Sequence, residues 1–310
     1  MLRDPEGRLR LGWRVLLFLA LFLGVAAFGL LVPLPGIPGA TLPVLVAALV
    51  AGWVLLAVEG RPPGALGFHL SRAAGRETVA GLALGIGVAL LAVAAIALAG
   101  GLGWSLTSWE GVTAGSVLLP ALGALWLFTI PAFAEEALFR GYPFQALAES
   151  WGTGAAVLVT SALFATLHLW NPHLTVLGLL NIFAAGVFLG AIYVRTASLW
   201  WVCGVHLGWN WGHGFLTGLP VSGLDLAENP LIEASQRGPD WLSGGGFGPE
   251  GSALSVLVLL GVSAAFWRTE RIRPEQFGPG ALRDAPLWIG RMRPRDRSIE
   301  KGRDAATFEA

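Results

Sequence analysis

Polar side chains of the types that activate water occur in three apolar stretches of this sequence. They are Glu135, Glu136 and Arg140, then His168, then His206 and Asn210. A carboxylate such as Glu135 could take a proton from water as a general base, with His168 sharing that task or holding a metal. His206 and Asn210 offer N–H donors to a developing oxyanion. These residue types together indicate a hydrolytic site.

Helical spacing divides the first stretch into two roles. Glu136 and Arg140 lie four residues apart on one helix face, so we expect an ion pair between them. A charge costs at least ~2.5 kcal/mol at the centre of a spanning helix, which makes such residues a functional hypothesis by default. Glu135 is rotated by roughly 100° and is left to face another helix. We therefore expect an ion pair between Glu136 and Arg140, and a contact between Glu135 and His168 on another helix.

Composition places these stretches in a membrane. The 310-residue chain is 55% hydrophobic and 13% charged, with a mean hydropathy of +0.66, which is typical of polytopic membrane proteins. Its formal net charge of zero gives no indication of a nucleic-acid partner. The single cysteine, Cys203, excludes an internal disulfide framework.

Apolar runs predict an all-α, polytopic integral membrane helix bundle of about eight transmembrane helices. A span needs about 20 residues, and the expected spans cover about 15–32, 40–58, 79–99, 114–150, 154–169, 174–194, 198–217 and 251–267. The fourth exceeds one straight span, and Pro131 should kink it. A tight turn at Trp151 to Gly154 should bring Glu135 and His168 level with each other, whereas His206 fits that height less well.

The predicted organisation has four parts. Residues 1–110 form N-terminal transmembrane helices, 111–217 the catalytic helices, 218–267 an extracytoplasmic loop and the last span, and 268–310 a charged cytoplasmic tail. The tail is expected to be disordered or to lie on anionic lipid.

Arginine placement predicts the orientation. Most arginines lie in the N-terminal segment, in loop 59–78, at Arg195 and in the tail, whereas 218–249 has four acidic residues against Arg237 alone. Arginine is in excess on the cytoplasmic side of membranes, so both termini are expected there. The expected setting is a bacterial cytoplasmic membrane, with the lipid bilayer as a partner.

The polar residues match, in order and spacing, the EExxxR, FxxxH and HxxxN motifs of a known family. Phe164 opens the second motif. The sequence resembles the CPBP family, the membrane CAAX-type prenyl endopeptidases and bacteriocin-processing enzymes also called the Abi family, over about Val112 to Leu216. The resemblance implies an eight-helix intramembrane peptidase in which Glu135 and His168 activate water and His206 and Asn210 stabilise the oxyanion. The implied substrate is a peptide or protein near the membrane, and a prenylated one is implied only by the eukaryotic members.

Two questions stay open at this point. Glu135, His168 and His206 would supply three ligands of a catalytic zinc site, but no HExxH pair is present, and a metal-free, glutamate-dependent mechanism is the alternative. The same buried residues would also serve a proton-coupled transporter or a non-catalytic, immunity-type binding protein. The first, second, third and eighth spans show no buried charge in the sequence pattern, which argues against a proton path through the full membrane thickness.

Overall fold

The chain forms a helical bundle with one small antiparallel ribbon. A computed structural model describes residues 9–29, 31, 34–105, 113–226 and 229–269. The helices are α1 (Leu11–Gly29), α2 (Gly36–Val58), α3 (Ala73–Leu98), α4 (Ala114–Phe139), α5 (Tyr142–Trp151), α6 (Thr153–Leu167), α7 (Val176–Thr196), α8 (Leu199–Trp211), α9 (Asp240–Ser243) and α10 (Ala253–Arg268). Strand β1 (Leu102–Ser105) pairs antiparallel with β2 (Glu233–Gln236). The tail that the sequence predicts to be disordered lies, apart from its first two residues, beyond Thr269 and outside the described part.

The all-α membrane bundle is confirmed. Within the described residues, six helical stretches are long and apolar enough to cross a membrane: 11–29, 36–58, 73–98, 114–151, 153–170 and 176–196. The two other expected spans correspond to α8 and α10, which have 13 and 16 residues. Both are shorter than the roughly 20 residues of a full span. A π-helical turn, Gly212–Leu216, follows α8 directly and prolongs it. The expected count of about eight is therefore approximate.

The predicted fourth helix is interrupted at a place that the sequence pattern did not indicate. Pro131 lies inside α4, and the helix ends at Phe139, with α5 beginning at Tyr142. Gly141 stands at the break, where an added Cβ would lie 2.1 Å from the Ala137 carbonyl oxygen. Only glycine fits this close approach, so the chain turns immediately after Arg140.

Helices α3 and α8 pack backbone against backbone. A Cβ added to Gly81 or Gly85 of α3 would lie 2.4 or 2.1 Å from carbonyl oxygens of α8. The same holds in reverse for Gly204 and Gly208, at 2.4 and 2.2 Å from carbonyl oxygens of α3. Small residues are the usual means of close helix approach in membranes. This contact fixes the height and rotation of α8.

Buried charges join several helix termini at one end of the bundle, which we call the arginine end. Arg14, at the start of α1, is 3% exposed and donates to Glu59 and Glu149, both at 2.6 Å. The hydroxyl of Tyr142 donates to Glu59 at 2.7 Å. The start of α1 and the end of α2 thus meet α5. Glu77 of α3 is also buried. Arg14, Glu59 and Glu77 lie just outside the predicted spans 15–32, 40–58 and 79–99, so they do not contradict the expectation that those spans lack buried charge. Tertiary contacts cover these groups at the helix ends.

Replacing Gly85 by alanine should weaken the bundle. We expect Gly85→Ala to lower the free energy of unfolding by ~1–3 kcal/mol, because the new methyl group overlaps the Val205 carbonyl. The measurement is thermal unfolding of the detergent-purified protein. Gly87→Ala is the matched control on the same helix: nothing lies within 4 Å of its added Cβ, and alanine favours helix by up to ~1 kcal/mol. Equal stability of the two variants would contradict the close contact.

Candidate active site

A cavity of about 270 Å³ gathers residues from all three motifs. Glu135 from α4, His168 after α6, and His206 and Asn210 from α8 line it. Apolar side chains such as Phe139 make up much of the remaining wall. Glu136 and Arg140 lie behind this wall with no exposed surface. The structure thus brings four of the six predicted residues to one space and places the other two in support of them.

The Glu136 carboxylate is the centre of a fully buried charge network. The predicted ion pair is present, since Arg140 Nη1 lies 3.1 Å from both carboxylate oxygens of Glu136. Arg140 Nη2 donates to the Gly186 carbonyl of α7 at 3.0 Å. His206 Nδ1 lies 2.8 Å from Glu136 Oε1. Because an ionised carboxylate can only accept, Nδ1 is the donor. Glu136 therefore fixes the imidazole of His206 with Nε2 directed away from it.

Glu135 is a partly exposed residue of the cavity wall. Its side chain is 31% exposed, and Oε2 lies 3.8 Å from His206 Nε2. That oxygen has no hydrogen-bond partner among the described residues. The sequence assigned the partner of Glu135 to His168, whereas the ion-pair contact in the structure is with His206 on α8. The packing of α8 against α4 brings His206 to Glu135. Spacing within one helix does not predict which residue of another helix will lie nearest.

His168 is oriented by its own motif. Its Nδ1 lies 2.7 Å from the Phe164 carbonyl oxygen, so Nδ1 donates and Nε2 of the neutral ring is an acceptor. The ring of Phe164 lies 4.7 Å from the His168 ring and 6.1 Å from that of His206. The Arg140 guanidinium lies over the same phenyl ring at 4.8 Å, within the range of a cation–π contact. Phe164 thus links the second motif to the buried ion pair.

Glu250 is a cavity-lining carboxylate that sequence reasoning missed. It is 5% exposed and accepts from the Trp209 indole N–H at 2.7 Å. Its other oxygen accepts from the backbone N–H and the hydroxyl of Ser222, at 2.6 and 2.7 Å. Glu250 precedes α10 in a Gly/Pro-rich segment, where no periodicity marks it. The only available signal was a carboxylate a few residues before an apolar helix.

The arrangement does not fit the predicted zinc ligands. Within the described ranges, no group of three or more His, Cys, Asp or Glu residues is placed to hold a metal ion. Glu135, His168 and His206 share the cavity without converging as a ligand set, and one ring nitrogen of His206 is already bonded to Glu136.

Removing the charge of Arg140 should destabilise the protein. Breaking a buried ion pair leaves an uncompensated charge, so Arg140→Met should lower the free energy of unfolding by ~3–5 kcal/mol. Denaturant or thermal unfolding in detergent measures this. Arg72→Met is the control because Arg72 is exposed, and substitutions of that kind change stability by about ±0.5 kcal/mol. Similar losses in both variants would show that the buried pair has no special role.

Comparison with known families adds one match. Residues 117–212, from α4 to the end of α8, match the family model described as Rce1-like, type II CAAX prenyl endopeptidase. This region contains all six predicted site residues. Comparisons with curated proteins and with solved structures gave no match.

Proposed function

The chain belongs to the CPBP family, and from this premise we propose that it hydrolyses a peptide bond within the membrane with water activated by Glu135. The family supports a CAAX-type membrane protease in general terms. The observation that carries the proposal is the partly exposed carboxylate of Glu135 in the cavity wall, 3.8 Å from His206 Nε2. A general base needs a carboxylate within reach of water.

Proton transfer is assigned to Glu135 with help from His168. Glu135 takes a proton from water, the resulting hydroxide adds to the scissile carbonyl, and the proton passes to the departing amine. The Nδ1–H of His168 is bonded to Phe164, so the acceptor Nε2 of the neutral ring is suited to assist. Removal of a positioned base typically costs 10²–10⁴-fold in rate.

Oxyanion stabilisation is assigned to His206 and Asn210. Both line the cavity that holds Glu135. Asn210 supplies side-chain N–H donors, and His206 donates from Nε2 when it carries both ring protons. Glu136 holds the His206 ring from behind at 2.8 Å, and preorganised donors of this kind are worth several kcal/mol in a dry site. Arg140 acts as a positioning residue through Glu136.

We propose the glutamate-dependent form of this chemistry. The donor atoms of Glu135, His168 and His206 are not placed as a ligand set, whereas the Glu135 side chain is partly exposed in the cavity. The substrate is a peptide or protein segment at the membrane, with or without a lipid attached. A transporter or a binding protein built on the same polar residues would cleave nothing.

Glu135→Gln should separate catalysis from stability. We expect at least ~10²-fold slower cleavage because the amide cannot accept the proton of water. The unfolding midpoint should change little, because Glu135 is partly exposed and outside the buried Glu136–Arg140 pair. The assay follows cleavage of prenylated and unprenylated membrane-anchored peptides by mass spectrometry in proteoliposomes.

Two controls define the outcome. Asp225→Asn removes an exposed carboxylate and should retain full turnover, and a chelator should leave the parent enzyme unaffected if the reaction depends on glutamate alone. Equal turnover by the parent and Glu135→Gln would overturn the assignment. Loss of turnover in chelator, restored by a divalent metal, would overturn the metal-free form only.

A further inference from the structure

Glu250 carries a buried negative charge that its neighbours in the structure do not neutralise. Its hydrogen bonds come from the Trp209 indole and from the backbone N–H and the hydroxyl of Ser222. All three donors are neutral groups. No ion pair joins Glu250 to an arginine, lysine or histidine of the described residues. The cavity wall therefore holds a carboxylate without a counter-charge.

The other buried glutamates differ in this respect. Glu136 pairs with Arg140 at 3.1 Å, and Glu77 lies 3.0 Å from the Nε2 atom of His69. Both oxygens of Glu250 accept from N–H groups, which can only donate, and an ionised carboxylate satisfies this pattern. An ion in a protein interior is costly unless a partner charge compensates it. Glu250 is thus suited to a cationic partner that the protein itself does not supply.

The Glu250 carboxylate keeps one acceptor position for such a partner. A carboxylate has about four lone-pair positions. The three bonds above leave one position on Oε1, which accepts from Trp209 alone among the described residues. Glu250 lines the cavity with 5% of its surface exposed, and no lysine or arginine of the described chain is part of that lining. A cation at this oxygen must therefore enter the cavity with a ligand.

Contacts around Ser222 hold the carboxylate in place before any ligand binds. Ser222 has a φ of 51°, and its neighbour Gly223 has a φ of 83°. A Cβ added to Gly223 would lie 2.0 Å from the Pro172 carbonyl oxygen, so this turn packs closely on the segment after His168. The Asn171 side chain donates to the Ser222 carbonyl at 3.0 Å. A preorganised acceptor of this kind loses little freedom when a ligand binds.

We propose that Glu250 binds a lysine or arginine side chain of the substrate peptide and thereby determines cleavage specificity. This inference rests on the proposed function and adds a substrate class: a peptide with a basic residue beside an otherwise apolar segment. Because Glu250 is already out of water, binding desolvates only the incoming cation. The apolar side chains that make up most of the cavity wall strengthen the attraction by lowering the local dielectric constant.

The basic residue binds near the scissile bond. Trp209, which donates to Glu250, follows His206 by three residues, a rise of ~4.5 Å along α8. An extended peptide advances ~3.3 Å per residue. A basic side chain at Glu250 therefore belongs to a residue within a few positions of the bond that faces Glu135 and His206.

Peptide binding tests the proposal without any need for turnover. The probes are short apolar peptides that carry one lysine, scanned through every position, and matched peptides with norleucine, which has the lysine stem without the ammonium group. The protein is the full chain in detergent with Glu135→Gln, which removes the other carboxylate of the cavity lining and the proposed base. Fluorescence anisotropy gives the Kd of each labelled peptide.

We expect lysine to tighten binding by ~10-fold or more at one position, as a hydrogen bond between charged groups does. Adding Glu250→Gln should remove this preference. Ser222→Ala is the matched control, because it removes one hydrogen bond to Glu250 but leaves the charge, and it should retain the preference. The ratio of the two Kd values within one variant does not depend on the fraction of folded protein.

Equal affinity for the lysine and norleucine peptides at every position overturns the inference, as does a lysine preference that survives Glu250→Gln. In the parent protein, the same preference is read as a ratio of kcat/KM values. A Glu250-dependent preference in binding without cleavage by the parent would leave this site standing and remove the protease proposal. Glu135-dependent cleavage that is indifferent to the basic residue would remove the specificity alone.

Discussion

The buried carboxylate of Glu136 is the interaction on which the remaining structure depends. An ion removed from water costs several kcal/mol in a protein interior unless partners with good geometry surround it. Arg140 and His206 are those partners, at 3.1 and 2.8 Å, and Arg140 also bonds to Gly186. Because these residues come from α4, α8 and α7, satisfying one charge joins three helices. The same bonds orient the His206 imidazole toward the cavity, so the stability of the bundle and the placement of this ring have one origin.

This network requires that α8 lie at one height, and the glycine contact with α3 supplies that constraint. Gly204 and Gly208 flank His206 in sequence and touch the α3 backbone directly. If side chains separated these helices, α8 could shift along α3 or rotate about its own axis. The direct backbone contact restricts both movements. Phe164 adds a second constraint, because its ring contacts both the Arg140 guanidinium and the His168 imidazole. The two histidines are therefore held by packing that is independent of any substrate.

Local periodicity predicted the membrane helices and the Glu136–Arg140 pair, since both depend on residues a few positions apart. The break at Gly141 was missed because apolar character continues through it, and a backbone contact with Ala137 decides the turn. Glu250 and the Arg14 network were missed for a different reason. Their partners lie 28 to 135 residues away, and no single-sequence pattern records such contacts. Sequence patterns therefore predicted which polar residues share one cavity, but not the distant residues that contact them.

The adjacent carboxylates Glu135 and Glu136 lie in two different environments: Glu136 in a buried ion pair and Glu135 in the cavity wall. A rotation of about 100° between neighbours sends one into the protein and the other into the cavity. His206 lies between them, with Nδ1 on Glu136 and Nε2 facing Glu135, so one imidazole ring contacts both carboxylates. Glu250, just before α10, accepts hydrogen bonds from the Trp209 indole and from the Ser222 hydroxyl. Trp209, the neighbour of Asn210, is thereby linked to the turn at Ser222. The segment between α8 and α10 is consequently part of the cavity wall, together with the helices that carry Glu135 and His206.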